Sequence, residues 1–359
     1  KYIFRIKGLR LMVQKCCSNC FSDKALKLQI NSIGRISRCH YCGTNDASTI
    51  NIDQLYALIS PLIEVIDNIF EEHIDGYSLF HILSSEFKLF TSKVHEQIIE
   101  DALQNRQELI NKKYKNFPTN TQSEWEAFKY ELKHNNRFFP QIEIYRDAFL
   151  ETGNLFEKFT EVIEQLNYEI TTSDTLFRAR ISDSALDHPN MKKPPIDKVT
   201  IGRANPDGIS YLYTAEQLET ALTEVRPSNG QTVYIAYLKV KQDINVINLC
   251  DPKKDISFIS LSSTDDFHKI MKLVNLLDQF AKELSLPVLP NRSHLDYIPT
   301  QFITEFFKNL GGIDGLMFNS SFGNGYNLVI FDQDKIDIPI DIPLKQLRIM
   351  GIQPDYTEL

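Results

Sequence analysis

Apolar side chains recur every three or four residues through much of the first half of the chain, the spacing typical of amphipathic helices. The clearest stripe runs over residues 53–73, with a kink expected at Pro61. The same spacing continues in four later segments, residues 79–90, 94–109, 123–133 and 148–166. We therefore predict a helical bundle over residues 51–170.

Beyond residue 170 apolar and polar side chains begin to alternate along the chain, and β-branched residues become more frequent. It predicts strands at residues 209–213, 232–240, 244–249, 315–319 and 326–332, the last two forming a hairpin. Helices are predicted at residues 265–284 and 300–310, the second ending at paired glycines. This mixture predicts an α+β domain over residues 171–340, followed by a surface tail over residues 341–359.

One short helix in this half carries an unusual charge. Thr214, with Gln217 three residues later, predicts a capping box that opens the helix. The positions predicted to face the core are Leu218, Ala221, Leu222 and Val225. Glu224 lies at the edge of that face in the last turn, where a carboxylate meets the negative end of the helix dipole. It is a candidate functional group, and a solvated glutamate beside Arg226 is the ordinary alternative.

Several blocks in this region resemble the RES family, which is named for an arginine, a glutamate and a serine. They are FRAR at 177–180, GRANP at 202–206, TALTEVRP at 220–227, IDGLMFNSS at 313–321 and GYNLV at 325–329. The match runs from about residue 175 to residue 332. The resemblance implies a bacterial toxin, usually one half of a toxin–antitoxin pair, that consumes NAD or transfers ADP-ribose. It also implies a domain resembling the ADP-ribosyltransferase fold.

The matched residues suit cleavage of NAD. Breaking the nicotinamide–ribose bond creates an oxocarbenium-like cation, which a carboxylate can stabilise, and Glu224 takes this role. Arg178 and Arg203 suit the two phosphates, because the planar guanidinium matches phosphate oxygens. Tyr213 would stack on nicotinamide or its ribose, with Tyr211 as the alternative.

A serine completes the set. Ser320 would hydrogen-bond the nicotinamide ribose or amide, Ser321 competes for that role, and Asn327 assists from the next strand. Water, phosphate or a protein side chain could accept the ADP-ribose, so a glycohydrolase, a phosphorylase and an ADP-ribosyltransferase all stay open. A non-catalytic adaptor that binds nucleic acid or a protein partner is the alternative from a different class.

Two cysteine pairs precede the bundle. They have C-x2-C spacing and are separated by 18 residues: Cys17 with Cys20, and Cys39 with Cys42. This spacing predicts a structural Zn²⁺ held by four thiolates in a zinc ribbon over residues 12–50. Cys16 could take the place of Cys17 as a ligand, and His40 could substitute for one of the cysteines. The metal would supply folding energy that so small a region lacks.

The bundle also resembles helical domains, related to HEPN domains, that accompany some RES proteins. Those often carry R-x4–6-H as a ribonuclease motif, but here the nearest such spacing is Arg35 to His40, inside the predicted ribbon. We therefore interpret the bundle as non-catalytic. The same interpretation assigns five residues to packing: Trp125, Phe128, Arg137, Phe138 and Phe139.

Charge is distributed unevenly along the 359 residues, whose net charge is −8. Residues 1–50 hold nine basic and two acidic side chains, a net charge of +7, which leaves −15 for the remainder. The acidic remainder makes a nucleic-acid partner unexpected.

No apolar run approaches the roughly 20 residues that span a membrane, so a cytoplasmic protein is expected. Residues 1–11 form either a short strand or a stretch upstream of a natural start at Met12. Beyond NAD, the expected partners are an antitoxin or another regulatory protein, or a second copy of the chain. We hypothesise that the residues before 171 control the RES domain.

Overall fold

A computed structural model describes residues 14–115, 121–262, 266–286 and 293–350. The predicted short strand at residues 1–11 and the end of the predicted tail, residues 351–359, lie outside these ranges.

The described strands and helices are numbered separately, each in chain order. The strands are β1 (Lys15–Cys17), β2 (Arg35–Ser37), β3 (Ala47–Asn51), β4 (Glu72–Ser78), β5 (Lys113–Tyr114), β6 (Asn167–Ile170), β7 (Thr175–Ile181), β8 (Leu212–Ala215), β9 (Thr232–Val240), β10 (Ile244–Asn248), β11 (Gly315–Asn319), β12 (Tyr326–Ile330), β13 (Ile336–Asp337) and β14 (Lys345–Arg348). The helices are α1 (Lys24–Ile33), α2 (Ile52–Ile69), α3 (Leu79–Ser85), α4 (Gln97–Ala102), α5 (Gln107–Asn111), α6 (Thr121–Tyr130), α7 (Glu143–Ala148), α8 (Phe156–Glu164), α9 (Leu218–Glu224), α10 (Pro252–Asp255), α11 (Phe258–Leu261), α12 (Phe267–Ser285), α13 (Ser293–Asp296) and α14 (Ile298–Asn309).

Contacts along the chain define two units. The first unit comprises Lys1–Thr119 and Lys253–Met271, and the second comprises Asn120–Pro252 and Lys272–Leu359. The border at residue 119 falls inside the bundle predicted over residues 51–170. Helices α6 to α8 therefore belong to the second unit, where their aromatic rings meet those of α14: the Phe159 ring stacks on Phe306 with centroids 5.7 Å apart.

The first unit contains a three-stranded antiparallel sheet in the order β1–β3–β2. Helix α2 follows β3 directly and accommodates Pro61 within its length. Helix α2 ends at Ile69, a few residues before the end of the predicted stripe, and Glu72–Ser78 form β4, which pairs with β5. A side chain at Gly76 would collide with the Tyr114 backbone, so the close approach of β5 accounts for the glycine.

The second unit is built on a nine-stranded sheet in the order β13–β9–β7–β8–β12–β11–β10–β6, with β14 also paired to β9. Among these strands only β10 and β11 run parallel. A largely antiparallel sheet with separate helices confirms the predicted α+β class. Part of the predicted surface tail is thus an edge strand, because Lys345–Arg348 pairs with β9.

Apolar clusters cover both faces of the large sheet. Helix α9 lies on one face, where Ala221 packs with Ala179 and Ala215. The other residues predicted to face the core pack against the same cluster: Leu218, Leu222 and Val225. The predicted core face of this helix is therefore confirmed.

Two local predictions in this unit are wrong. Thr214 does not cap α9, because it lies within β8 opposite Leu328 and the helix begins four residues later. Phe138 and Phe139 do not pack, since they are 77% and 72% exposed. Trp125 and Phe128 are buried, as predicted.

None of the helices in the described part of the chain is both long enough and apolar enough to cross a bilayer.

Candidate functional site

A cavity of about 550 Å³ lies in the second unit, between β7 and β8. These two strands form a single residue pair, Phe177 with Ala215, and their continuations both line the cavity. The cavity thus occupies the place where a regular ladder would have continued. Side chains from both strands, from α9 and from residues 194–205 face it.

Glu224 ends α9 at one end of this cavity. Its Oε1 accepts a hydrogen bond from the Ser320 hydroxyl (2.6 Å) and another from the Asn327 side-chain amide (2.8 Å). Its Oε2 accepts no hydrogen bond from the described residues. One carboxylate oxygen is therefore fixed by the protein, and the other is available to a ligand.

The two serines left open by the sequence occupy different surroundings. Ser320 is partly buried, and its hydroxyl accepts the backbone N–H of Phe322 (3.2 Å) while donating to Glu224. Ser321 is exposed. Neither serine is among the residues that line the cavity, and Ser320 reaches the site through its hydrogen bond to Glu224. The structure thus brings Ser320 into the site.

Arg178 projects from β7 into the cavity. Its Nη1 donates to the backbone carbonyl of Tyr213 (2.5 Å), while its Nε is buried and has no hydrogen-bond partner among the described residues. Among the described residues, no carboxylate forms a salt bridge with Arg178. Burial lowers the pKa of Arg178 to about 9, and the nearby charge of Arg180 acts in the same direction. Both effects would be offset by an anion bound at the guanidinium.

Arg203 lies on a loop that is hydrogen-bonded to α14. Its backbone carbonyl accepts the Thr300 hydroxyl (2.6 Å), and the Gln301 side chain donates to the carbonyl of Gly202 (2.8 Å). A side chain at Gly202 would collide with Asn205 and with the Tyr213 hydroxyl, so the close packing of the loop accounts for this glycine.

The Arg203 guanidinium has a structural partner that the sequence did not indicate. Its Nη1 donates to the carbonyls of Leu284 (2.8 Å) and Ser285 (3.3 Å), the last residues of α12. A cation is favourable at this helix terminus. Arg203 therefore caps a helix and also lines the cavity.

The two tyrosines also differ. Tyr213 lines the cavity with its ring, while its hydroxyl donates to Asn205 (2.7 Å), and burial raises its pKa. Tyr211 is buried, and its hydroxyl donates to the Glu305 carboxylate. Both tyrosines are among the residues that line the cavity. The hydroxyl of Tyr213, on β8, binds the loop that carries Arg203, whereas that of Tyr211 binds α14.

Three cationic residues of the cavity were not selected from the sequence: Arg180, Lys198 and Arg226. Strand alternation could have indicated Arg180, which follows Arg178 by two positions. Arg226 adopts a left-handed backbone conformation (φ 48°), and its guanidinium lies 4.1 Å from the centre of the Phe322 ring. This contact joins the end of α9 to the loop that carries Ser320.

The first unit contains a second cluster of chemically active side chains. The four Sγ atoms of Cys17, Cys20, Cys39 and Cys42 all lie within 4.8 Å of one another. Two of the Sγ–Sγ distances are 3.4 Å and 3.5 Å, close to the roughly 3.8 Å that four sulfurs adopt around Zn²⁺ at about 2.3 Å. The cluster could therefore hold a metal ion.

Neither alternative ligand belongs to this cluster. Cys16 is buried but lies outside the group. The Nδ1 atom of His40 accepts the backbone N–H of Lys15 (3.0 Å). The four clustered cysteines form no disulfide, so all four sulfurs are available to a metal ion.

Comparison with known proteins identifies a family for the second half of the chain. Residues 168–349, about half of the chain, match the family model described as the RES domain. A crystal structure of the M. tuberculosis MbcT–MbcA toxin–antitoxin complex contains a similar chain, at 15% sequence identity and a TM-score of 0.31. That similarity covers 55% of this chain and 94% of the other. No curated protein matches the sequence.

Proposed function

Since the chain belongs to the RES family, as its motifs predicted, we propose that it cleaves the nicotinamide–ribose bond of NAD. The observation that carries the proposal is the state of Glu224. One of its oxygens accepts hydrogen bonds from Ser320 and Asn327, and the other accepts none from the described residues. The other charged side chains in the described lining of the cavity are all cations. A fixed carboxylate among arginines suits a substrate that combines phosphates with a cationic reaction centre.

The chemistry begins with loss of nicotinamide. The C1′–N bond breaks, its electron pair leaves with the ring as neutral nicotinamide, and positive charge develops on the ribose. The Glu224 carboxylate stabilises that charge through its free oxygen, as carboxylates do in glycoside hydrolysis. Ser320 and Asn327 keep the carboxylate in place, because both donate to its other oxygen.

The cations bind the rest of the substrate. Arg178 presents a buried Nε that no described residue hydrogen-bonds, which suits a pyrophosphate oxygen. Arg203 contributes from its anchored loop, and the Tyr213 ring offers a surface for nicotinamide or its ribose.

The acceptor of ADP-ribose decides the reaction type. If water adds to C1′ and loses a proton, the product is ADP-ribose, and if inorganic phosphate adds, it is ADP-ribose 1″-phosphate. We expect one of these two small products. Incubating the full chain with NAD, with and without phosphate, and weighing the products by mass spectrometry separates them. ADP-ribose attached to protein instead would indicate an ADP-ribosyltransferase.

We propose in addition that the cluster of four cysteines binds one structural Zn²⁺. Four sulfur ligands fill a tetrahedral site and leave no position for substrate. The resemblance also implies an antitoxin or another regulatory partner, and that stays a prediction, as do the HEPN-like character of the helices and a role in control for the residues before 171.

Replacing Ser320 by alanine is expected to lower kcat for NAD cleavage by roughly 10- to 100-fold, because a hydrogen bond to a charged carboxylate is lost. The matched control is Ser321→Ala, which changes an exposed neighbour and should leave kcat unaltered. Steady-state assays of nicotinamide release measure both. Equal losses in the two variants would argue against the assigned role of Ser320.

Replacing Arg203 by alanine is expected to raise KM for NAD about tenfold, since one charge-assisted contact to phosphate disappears. The melting temperature should fall as well, because the cap on α12 is lost with it. Titration of activity against NAD and a thermal melt report the two effects separately. A lower melting temperature with unchanged KM would restrict Arg203 to capping the helix.

A further inference from the structure

The charges lining the cavity exceed what NAD needs. Among the described residues that line it there are five cationic side chains, Arg178, Arg180, Lys198, Arg203 and Arg226, and one carboxylate, Glu224. The pyrophosphate of NAD carries only two negative charges. None of the five cations forms a salt bridge with a described carboxylate, so the surplus is not neutralised within the protein.

Arg226 lies beside Glu224, two residues after it, whereas Arg180 lies farther along the cavity. Asn327, which holds Glu224, pairs with Ala215, and Ala215 pairs with Phe177, so these residues form one row across the sheet. Arg180 lies three positions beyond Phe177 on β7, which corresponds to about 10 Å. The cavity thus has a carboxylate at one end and a cation at the other.

Arg180 is held at that far end. Its Nη2 donates to the carbonyl of Lys192 (3.0 Å), in the segment that continues to Lys198. Burial lowers the pKa of Arg180, so a bound anion would be favourable there. Lys198, six residues after Lys192, is exposed and also lines the cavity.

A substrate extended through the cavity meets these groups in order. With the nicotinamide ribose at Glu224 and the pyrophosphate at Arg178, the adenosine ribose lies near Arg180 and Lys198. Sites that select NAD commonly place a carboxylate on the 2′-hydroxyl of that ribose, whereas an arginine there accommodates a 2′-phosphate. The described lining offers cations at this end and no second carboxylate.

We infer that the cavity accepts dinucleotides phosphorylated on the adenosine ribose, so that NADP is a substrate as well as NAD. The inference rests on the proposed cleavage of NAD and concerns the other end of the same site. With water as the acceptor, the C1′–N bond of NADP breaks, neutral nicotinamide leaves, and water adds to C1′ and releases a proton. The second product is ADP-ribose bearing the 2′-phosphate.

Nicotinamide release by the purified full chain, measured against NAD and against NADP, tests the inference. We expect kcat/KM for NADP to lie within tenfold of that for NAD, or above it. Replacing Arg180 by glutamine should lower kcat/KM for NADP about tenfold more than for NAD, since only NADP has the phosphate at this end. Lys198→Gln, at an exposed position, should shift the ratio in the same direction without a risk to folding. Arg348→Gln, an exposed arginine on β14 outside the cavity, is the matched control and should leave the ratio unchanged.

If the protein cleaves NAD but kcat/KM for NADP is more than tenfold lower than for NAD, the inference is overturned and the proposed function stays intact. If the ratio of kcat/KM for NADP to kcat/KM for NAD is unchanged in both the Arg180 and the Lys198 variant, the inference is also overturned. Neither cation would then distinguish the two substrates. Failure of the folded protein to cleave either dinucleotide would contradict the proposed function itself.

Discussion

Glu224→Gln is expected to lower kcat for NAD cleavage by about 10²- to 10³-fold, the loss typical when a group that stabilises transition-state charge is removed. Glutamine keeps the volume of glutamate, and its carbonyl oxygen can still accept from Ser320 and Asn327. The negative charge that opposes the developing ribose cation is lost. The fold should persist, because the apolar contacts of α9 involve other residues.

The matched control for this variant is Glu219→Gln, an exposed glutamate in the first turn of the same helix. Both variants should give the circular dichroism spectrum of the wild type, and only the Glu224 variant should lose activity. A folded Glu224→Gln protein with wild-type kcat would exclude the role assigned to this carboxylate.

Cys39→Ser is expected to abolish zinc binding and to destabilise the first unit by more than about 4 kcal/mol, a size of effect reserved for changes such as loss of a metal. The sulfur of Cys39 lies 3.4 Å from that of Cys20 and accepts the backbone N–H of Cys42 (3.5 Å). Its replacement therefore disturbs both cysteine pairs. Solubility and stability should therefore fall first, whereas NAD cleavage at the cavity of the second unit should be affected only later.

Native mass spectrometry and denaturant titration measure these effects. The wild type should carry one zinc ion per chain, and Cys250→Ser, which changes the cysteine outside the first unit, should retain it. Freshly purified wild type without metal, or with a disulfide between Cys20 and Cys39, would disprove the zinc proposal.

Much of the architecture follows from local pattern. The long stripe of α2, the hairpin of β11 and β12 and the core face of α9 depend on residues close in sequence, so periodicity was sufficient to predict them. The pairing of the four cysteines likewise needed only their spacing. For the same reason, the family was identified from ordered motif blocks without knowledge of the fold.

What escaped prediction depends on contacts between distant residues. The strand at Thr214 is formed by pairing with β12, which overrides the local capping signal. Helices α6 to α8 join the second unit through aromatic contacts with α14, more than a hundred residues later. Strands β7 and β8 pair at one position only and then diverge, which leaves room for the cavity. This divergence depends on how the strands pair in the folded sheet, and the sequence of either strand alone does not predict it.

The candidate site shows the same division. Glu224, Ser320 and Asn327 were named from motifs, and the structure brings their side chains into contact. The second function of Arg203 as a helix cap required the position of α12. The choice between Ser320 and Ser321 required the turn that buries one and exposes the other.

The most direct test is to incubate the purified full chain with NAD and to quantify nicotinamide and NAD together. The proposed function predicts one nicotinamide released for every NAD consumed, with the remaining mass recovered as ADP-ribose or its phosphate. NAD that persists unchanged beside folded protein would contradict it. So would NAD cleaved at the pyrophosphate, with nicotinamide still attached to its ribose.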